Sequence, residues 1–400
     1  MEQIKVLPVP ARGTPLSKEQ AMQLAISEAY KGGPHVSPNP LVGCVVLDRE
    51  GKFLASGHHE FFGGPHAEVN ALKNLSNEDL KEAHVIVTLE PCAHEGKTPS
   101  CAKMIAKLPV AKVTFGLIDP NPLVAGEGAE ILRKAEIKAE VFSSSDKKLE
   151  ELIHTQLEEV CEAFLWNFRQ KKIFVALKMA SSLDGQVALK SGESQWITGP
   201  ESREYVHYLR ACYDAILVGK GTIEFDNPSL NIRHPSIEKK NKVVVIDSEG
   251  ELVRKYSKLK LSQIHALDHV FWCVAAEQKE QIEKAIAKNS QAPTMIYVKT
   301  SVGGDLDLVD LLEQLYQKGL RSVMVEGGAM TASSFISQNL VNRLYVFEAP
   351  IIMGSGGARS WTETLRIEKM VNKIIMKNPR YQTFGSDFMI TGTLKTESLK

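Results

Sequence analysis

The chain has 400 residues, 43% hydrophobic and 24% charged. That composition is ordinary for a globular protein, and at roughly 100–200 residues per domain it predicts two or three domains, each with its own core. The 48 basic and 48 acidic residues cancel, which argues against a generic nucleic-acid or acidic-membrane binder.

The first sixteen residues hold three prolines and are expected to wrap the surface. They lack the continuous apolar stretch of a signal peptide, and no apolar run in the chain reaches the ~18 residues of a membrane span. A cytoplasmic location is expected. Helical periodicity over 18–30 places Ala21, Met22, Leu24, Ala25 and Ala29 on one side. Strands are predicted at 41–48, 84–89, 112–117 and 138–142, with helices at 67–75, 101–107 and 128–135. This is the alternation of an α/β layer domain. A charged helical stretch, 146–170, carries the domain boundary near 160–172, dividing the chain into 1–165 and 166–400. A second alternation follows. Strands are predicted at 173–179, 215–218, 242–247, 269–274, 295–298, 322–325 and 343–353, with helices near 200–211, 278–287, 306–318 and 331–338. A last strand pair is predicted at 372–377 and 387–394.

Six cysteines are too sparse for a disulfide framework. Cys44, Cys161, Cys212 and Cys273 fall in apolar or helical patterns and read as core. Cys92 and Cys101 differ. Pro65-His66-Ala67-Glu68 opens one predicted helix; Thr88-Leu89-Glu90-Pro91-Cys92 ends a strand, and Cys101 opens the next helix after eight intervening residues. One imidazole and two thiolates suit Zn²⁺, and three protein ligands leave the fourth position open, as in a catalytic site. A helix N-terminus favours the thiolate form. Glu68, two residues from His66, is placed to move a proton from water to a leaving amine. His-x-Glu with Pro-Cys…Cys is the signature of zinc deaminases of nucleobase-like rings, although their cysteines are usually two residues apart. A closed structural site with His94 as fourth ligand stays open as an alternative.

The second half has no G-x-G-x-x-G after a strand, hence no dinucleotide fingerprint of that kind. Glu326-Gly327-Gly328 stands at a strand-to-helix turn. It reads either as a plain tight turn or as a place where phosphate approaches backbone N–H groups. Gly354-Ser355-Gly356-Gly357 reads as a loop, and Asp184-Gly185 as a hairpin turn. Lys178 interrupts an apolar strand, which places it at a sheet edge or facing a cleft.

At this point the chain resembles the bifunctional deaminase–reductases of riboflavin biosynthesis. The resemblance rests on Asn39-Pro40-Leu41-Val42-Gly43, His66-Ala67-Glu68, the long loop from Cys92 to Cys101, and Asp119-Pro120-Asn121-Pro122 with Val124-Ala125-Gly126. It continues through Leu177-Lys178, Ser182-Leu183-Asp184-Gly185 and Gly192 to Thr198. Asp226-Asn227-Pro228-Ser229-Leu230 and Val325-Glu326-Gly327-Gly328 complete it, over about residues 17–395. It implies an N-terminal cytidine-deaminase-like zinc domain followed by a C-terminal dihydrofolate-reductase-like domain. The first would deaminate a diaminopyrimidinone bearing a phosphoribosylamino arm, with His66, Cys92 and Cys101 on zinc and Glu68 as proton carrier. Asn39, His59, His94 and Lys97 would contact that substrate.

The second domain would use NADPH to reduce the ribosyl arm to ribityl. There the resemblance implies that Ala180, Trp196, Thr198, Thr222, Asp226, Ser248, Gly327 and Gly328 line the cofactor, and Ser194, Arg210, Leu230, Arg233 and Glu326 the substrate. Arg210 and Arg233 are read as phosphate clamps, Lys178 as the group that polarises or protonates the sugar oxygen, and Glu326 as a substrate-orienting group. The expected partners are the phosphorylated pyrimidine and further copies of the chain as a homo-oligomer, with no nucleic acid and no membrane. Two other readings stay open: a zinc deaminase of tRNA or free purine with an unrelated second half, and a zinc-stabilised scaffold without turnover.

Overall fold

The computed structural model describes residues 7–94, 99–121, 125–287, 292–301, 303–354, 359–362 and 365–395. The chain divides into two compact units, Ile4–Lys171 and Lys172–Lys400.

The first unit opens with α1 (Lys18–Lys31). Ser17 and Gln20 reciprocally satisfy its N-terminal backbone groups in a capping box. There follow β1 (Gly43–Leu47), β2 (Phe53–His58), α2 (Ala67–Leu72), β3 (His84–Leu89), α3 (Cys101–Ile105), β4 (Lys112–Leu117), α4 (Glu127–Lys134), β5 (Lys138–Val141), α5 (Lys147–Val160) and α6 (Glu162–Gln170). The strands form one sheet in the order β2-β1-β3-β4-β5, antiparallel around β1 and parallel from β3 to β5. Successive side chains point to opposite faces. Val45, Leu47 and Ile86 therefore pack with Met22, Leu24 and Leu157, while Cys44, Val46, Val85 and Val87 pack with Ala67, Ala71 and Leu132. Helices on both faces explain why these strands read as continuous apolar runs.

Sequence periodicity misses β2. Its FLASGH is paired on one side only, to β1, and lacks clean alternation. The helix from Ala67 ends at Leu72 rather than 75. The stretch 146–170 is two helices, broken at Cys161 with φ −113° and ψ 12°. Leu165 of α6 packs into the first unit's core, which carries that unit past residue 165.

The second unit comprises β6 (Phe174–Ser182), β7 (Gln186–Ala188), α7 (Pro200–Cys212), β8 (Ala215–Gly219), α8 (Lys220–Asp226), β9 (Lys242–Ile246), α9 (Lys260–Ile264), β10 (Val270–Ala275), α10 (Lys279–Ile286), β11 (Thr294–Val298), α11 (Leu308–Gln317), β12 (Ser322–Val325), α12 (Ala329–Ser337), β13 (Arg343–Ala349), β14 (Arg359–Ser360), β15 (Ile375–Phe384) and β16 (Asp387–Lys395). The main sheet runs β11-β10-β9-β8-β12-β6-β13-β16-β15. It is parallel through β13, and β16 and β15 are antiparallel. Val175, Leu177 and Met179 of β6 join Val323, Val325, Leu315 and Phe335 in its core. The alternate residues Ala176, Lys178 and Ala180 point to the other face. Asp184-Gly185 does form a turn, with Gly185 at φ +76°. It closes no simple hairpin, because β7 pairs with β14. Asp184 instead accepts the N–H groups of Met353 and Gly354. The final strand pair is longer than expected and shifted, with β15 reaching Phe384. Among the described residues no helix is long and apolar enough to cross a membrane.

Candidate active sites

Three chain segments meet beside the first sheet. His66 is the N-cap residue of α2 and keeps extended backbone angles. Cys92 follows the end of β3. Cys101 opens α3, whose N-cap Ser100 accepts from the Lys103 N–H and donates its hydroxyl to the Cys92 carbonyl at 2.7 Å. His66 Nδ1 lies 3.5 Å from Cys92 Sγ and 3.3 Å from Cys101 Sγ. All three ligand atoms fall within 4.8 Å of one another. Nitrogen at about 2.0 Å and sulfur at about 2.3 Å from a tetrahedral Zn²⁺ sit about 3.5 Å apart, so the donor set and its spacing fit zinc. The closed-site alternative is not met: His94 is exposed and outside the cluster.

The Cys101 hydrogen bond holds the Cys92 thiol down to about 4 against its burial, with further help from His66 and the Cys101 N–H. The same bond, with burial, drives Cys101 far up. His66 is raised by its bond to Cys92, against burial. Glu68, in the first turn of α2 and 3% exposed, is pushed up to about 7, chiefly by burial.

Asn39 and His59, both expected at the substrate, stand beside this cluster. His59 Nδ1 donates to the Pro65 carbonyl at 2.9 Å, which leaves Nε2 to accept from the Asn39 amide at 3.2 Å. The His59 and His66 rings lie edge to face, 5.4 Å apart. Burial lowers the His59 pKa, keeping the ring neutral. Lys97 lies outside the described residues.

Sequence reasoning missed how Cys92 is held. Glu90, 4% exposed, accepts the N–H groups of Asp119, Gly126 and Ala129, tying the end of β3 to the start of α4. At Gly128 a Cβ would lie 2.0 Å from the Pro91 carbonyl oxygen, so only glycine fits against the residue before Cys92. The glutamate stood in the quoted Leu-Glu-Pro-Cys run, but its partners are 29 to 39 residues away.

In the second unit six of the eight expected cofactor residues lie near or after the carboxyl ends of strands. Thr222 and Asp226 lie on α8 after β8, Ser248 follows β9, and Gly327 and Gly328 follow β12, with Gly328 the N-cap residue of α12. Ala180 lies near the end of β6. Ligands of open parallel sheets bind outside these ends. Gly327 lies tight against Thr331, whose Cβ would be 2.5 Å from an added Cβ. Trp196 is 67% exposed, and the Arg203 guanidinium stacks 4.5 Å from its ring centroid. Thr198 is buried, and its carbonyl accepts from Arg203. Ser194 is half-buried in the same segment.

Lys178 is on β6, between β12 and β13, and opposite Tyr345. The edge alternative is thereby removed: it is a lysine in the middle of the sheet, on the face opposite Val175, Leu177 and Met179. Its Nζ lies 5.7 Å from the Phe347 ring centroid. Burial lowers its pKa, partly offset by Glu326. Arg210, expected as a phosphate clamp, is partly engaged within the protein. Its Nε and Nη2 donate to the two Glu326 oxygens at 2.7 and 2.9 Å, and Nη1 donates to the Asn231 carbonyl at 3.2 Å. Three of its five donors are thus engaged. Glu326 is correspondingly an ion-pair partner before it is a substrate-orienting group. Leu230 is 3% exposed, and its carbonyl accepts from the Asn241 amide at 2.9 Å. Arg233 is exposed, with Nη1 on Ser229 Oγ at 2.7 Å.

Comparison with known proteins finds a match for each unit. Residues 16–117 match the cytidine and deoxycytidylate deaminase zinc-binding region, and residues 173–390 match the RibD C-terminal domain. The riboflavin biosynthesis protein RibD of Aquifex aeolicus is 35% identical over 87% of this chain and 93% of its own length. That of Escherichia coli is 31% identical over 93% and 98%. Among solved structures, RibD of Acinetobacter baumannii superposes with a TM-score of 0.77 at 30% identity, covering 94% of this chain and 99% of that one. A diaminohydroxyphosphoribosylaminopyrimidine deaminase/5-amino-6-(5-phosphoribosylamino)uracil reductase of Thermotoga maritima gives 0.74 at 32%, covering 95% and 98%. A zinc-binding deaminase region and a reductase domain in one chain, matched along nearly its whole length, place it in the RibD family of bifunctional deaminase–reductases of riboflavin biosynthesis.

Proposed function

We propose that the first unit removes the 2-amino group of 2,5-diamino-6-(5-phosphoribosylamino)pyrimidin-4-one as ammonia, and that the second reduces the ribosyl arm of the product to ribityl phosphate with NADPH. The observation that carries the deaminase reading is the convergence of His66, Cys92 and Cys101 next to the buried Glu68. Zinc held by those three side chains would supply the Lewis acidity that activates water at neutral pH. Glu68, anchored in the first turn of α2 and shielded from bulk water, would take the proton from the attacking water and pass it to the departing amine. His59 and Asn39 hold the pyrimidine ring through their mutually oriented polar atoms, with His94 and Lys97 completing the contacts to the arm.

In the second unit NADPH supplies the hydride. Ala180, Trp196, Thr198, Thr222, Asp226, Ser248, Gly327 and Gly328 bind and orient it. Ser194, Leu230 and Arg233 bind the substrate. Arg210 contributes its two unengaged N–H donors and fixes the direction of Glu326. Lys178 delivers a proton to the sugar oxygen as the ring opens, and its burial makes that proton easier to release. A cytoplasmic homo-oligomer binding neither nucleic acid nor membrane belongs to the same reading. Six unpaired cysteines favour a reducing compartment.

The test is to supply zinc-loaded protein with the diaminopyrimidinone phosphate while following ammonia and NADPH absorbance. Ammonia release should need no NADPH, and NADPH consumption should need the pyrimidine. Protein that releases no ammonia, or that oxidises NADPH without the pyrimidine, would overturn the assignment.

A further inference from the structure

His207 has no part in the roles assigned so far, yet it stands where three of them meet. It lies on α7 one turn before Arg210, and residues three apart share a helix face. Opposite that face runs the turn 230–233. Leu230 takes φ +50° there, in the left-handed region that a side chain with a Cβ enters only at a cost. Such a turn persists only if its surroundings hold it. Here Asn241 Nδ2 donates to the Leu230 carbonyl at 2.9 Å, Arg210 holds the Asn231 carbonyl, and the Arg233 N–H donates to His207 Nδ1 at 3.2 Å. His207 also bonds the Asn231 backbone.

We propose that His207 is a positioning residue of the reductase site, pinning the turn 230–233 so that Arg233 presents its guanidinium to the phosphate of the substrate. This rests on the reading of Arg233 as a phosphate-binding group. The imidazole suits the task because its two nitrogens differ: Nδ1 accepts from Arg233 while Nε2 carries the hydrogen. Burial, with the positive charges of Arg210 and Arg233 beside it, lowers its pKa to about 4, against the opposing pull of Glu326. The ring therefore stays neutral, and Nδ1 stays an acceptor, throughout the ordinary working range. Arg233 itself is exposed, and its Nη1 donates to Ser229 Oγ at 2.7 Å. Its direction is thus set largely by the backbone that His207 holds.

The experiment compares His207→Ala, His207→Asn, Arg233→Ala and the double variant His207→Ala/Arg233→Ala in the full chain. The substrates are the deaminated pyrimidine with its ribosyl phosphate and the same compound without the phosphate. His207→Ala should raise KM for the phosphorylated substrate about tenfold, the scale of one lost hydrogen bond. It should leave KM for the dephosphorylated compound, KM for NADPH, and ammonia release unchanged. Asn places an oxygen near Nδ1, so His207→Asn should restore most of the loss. The double variant should be no worse than Arg233→Ala. Should His207→Ala fail to fold, His207→Gln, which fills the space without an acceptor at Nδ1, takes its place. An unchanged KM in the His207 variants while Arg233→Ala raises it would overturn the inference, as would an equal rise for the dephosphorylated compound. An unchanged KM in Arg233→Ala would instead overturn the reading of Arg233 beneath it.

Discussion

Replacing Arg210 with Met isolates the ion pair at the centre of the second unit. Met keeps much of the side-chain length but removes the charge and every donor. The Arg210 and Glu326 side chains are only 13% and 10% exposed, and their contact is bidentate. Removing one partner of a buried pair leaves an uncompensated charge and costs about 3–5 kcal/mol. At ~2–4 °C per kcal/mol for a unit of this size, the unfolding midpoint should fall by roughly 6–20 °C at neutral pH. Lys178 stays close to Glu326 and holds the effect towards the lower end.

The pH dependence carries its own sign. In the native protein burial pushes the Glu326 carboxyl up, but the charge and hydrogen bonds of Arg210, with Lys178, outweigh it, and the pKa is lowered. That contribution to stability is present above the unfolded pKa and is lost as pH falls through the folded one. Without Arg210 the burial prevails and the pKa rises above its ordinary value. The folded variant then holds a proton that the unfolded chain lacks, so it gains stability as pH falls from neutral towards about 4.3. The gap between the two proteins should therefore narrow on acidification. Fluorescence-monitored melting measures this well, since Trp272 is fully buried in that unit. A drop below ~2 °C, or a gap as wide at about pH 5.5 as at about pH 7.5, would refute the reasoning.

Three further outcomes are expected. Glu68→Gln should retain about one zinc per chain by elemental analysis and release ammonia at least ~10²-fold more slowly; full activity would remove Glu68 from proton transfer. Lys178→Ala should slow NADPH-dependent reduction of pre-deaminated substrate by ~30- to 1000-fold, the equivalent of roughly 2–4 kcal/mol of barrier. Ammonia release is the control, and a rate within about threefold of wild type would rule out the proton-donor role. Gly128→Ala puts a methyl 2.0 Å from the Pro91 carbonyl oxygen, so Pro91 and the neighbouring Cys92 must shift. Zinc affinity, read by chelator competition, should weaken by about 10–100-fold, as for other residues that orient ligands.

The metal triad was legible in the sequence because its signature is local: His66 with Glu68, Pro91 with Cys92, and Cys101 opening a helix each carry chemistry within a few residues. The two α/β alternations were legible for the same reason, since hydrophobic periodicity is a property of short windows. Tertiary structure decided what depends on which strands become neighbours. Lys178 reads equally as an edge or a cleft residue until β6 is found between β12 and β13. That Arg210 also pairs with Glu326, 116 positions away, through two of its donors is visible only in the fold. Glu90 is one acidic residue among 48 acids until β3 and β4 lie side by side and bring three distant N–H groups to it. The physical reason is common to all three. A buried charge must find partners, and the order of strands in the sheet, which no local window contains, determines which partners are within reach.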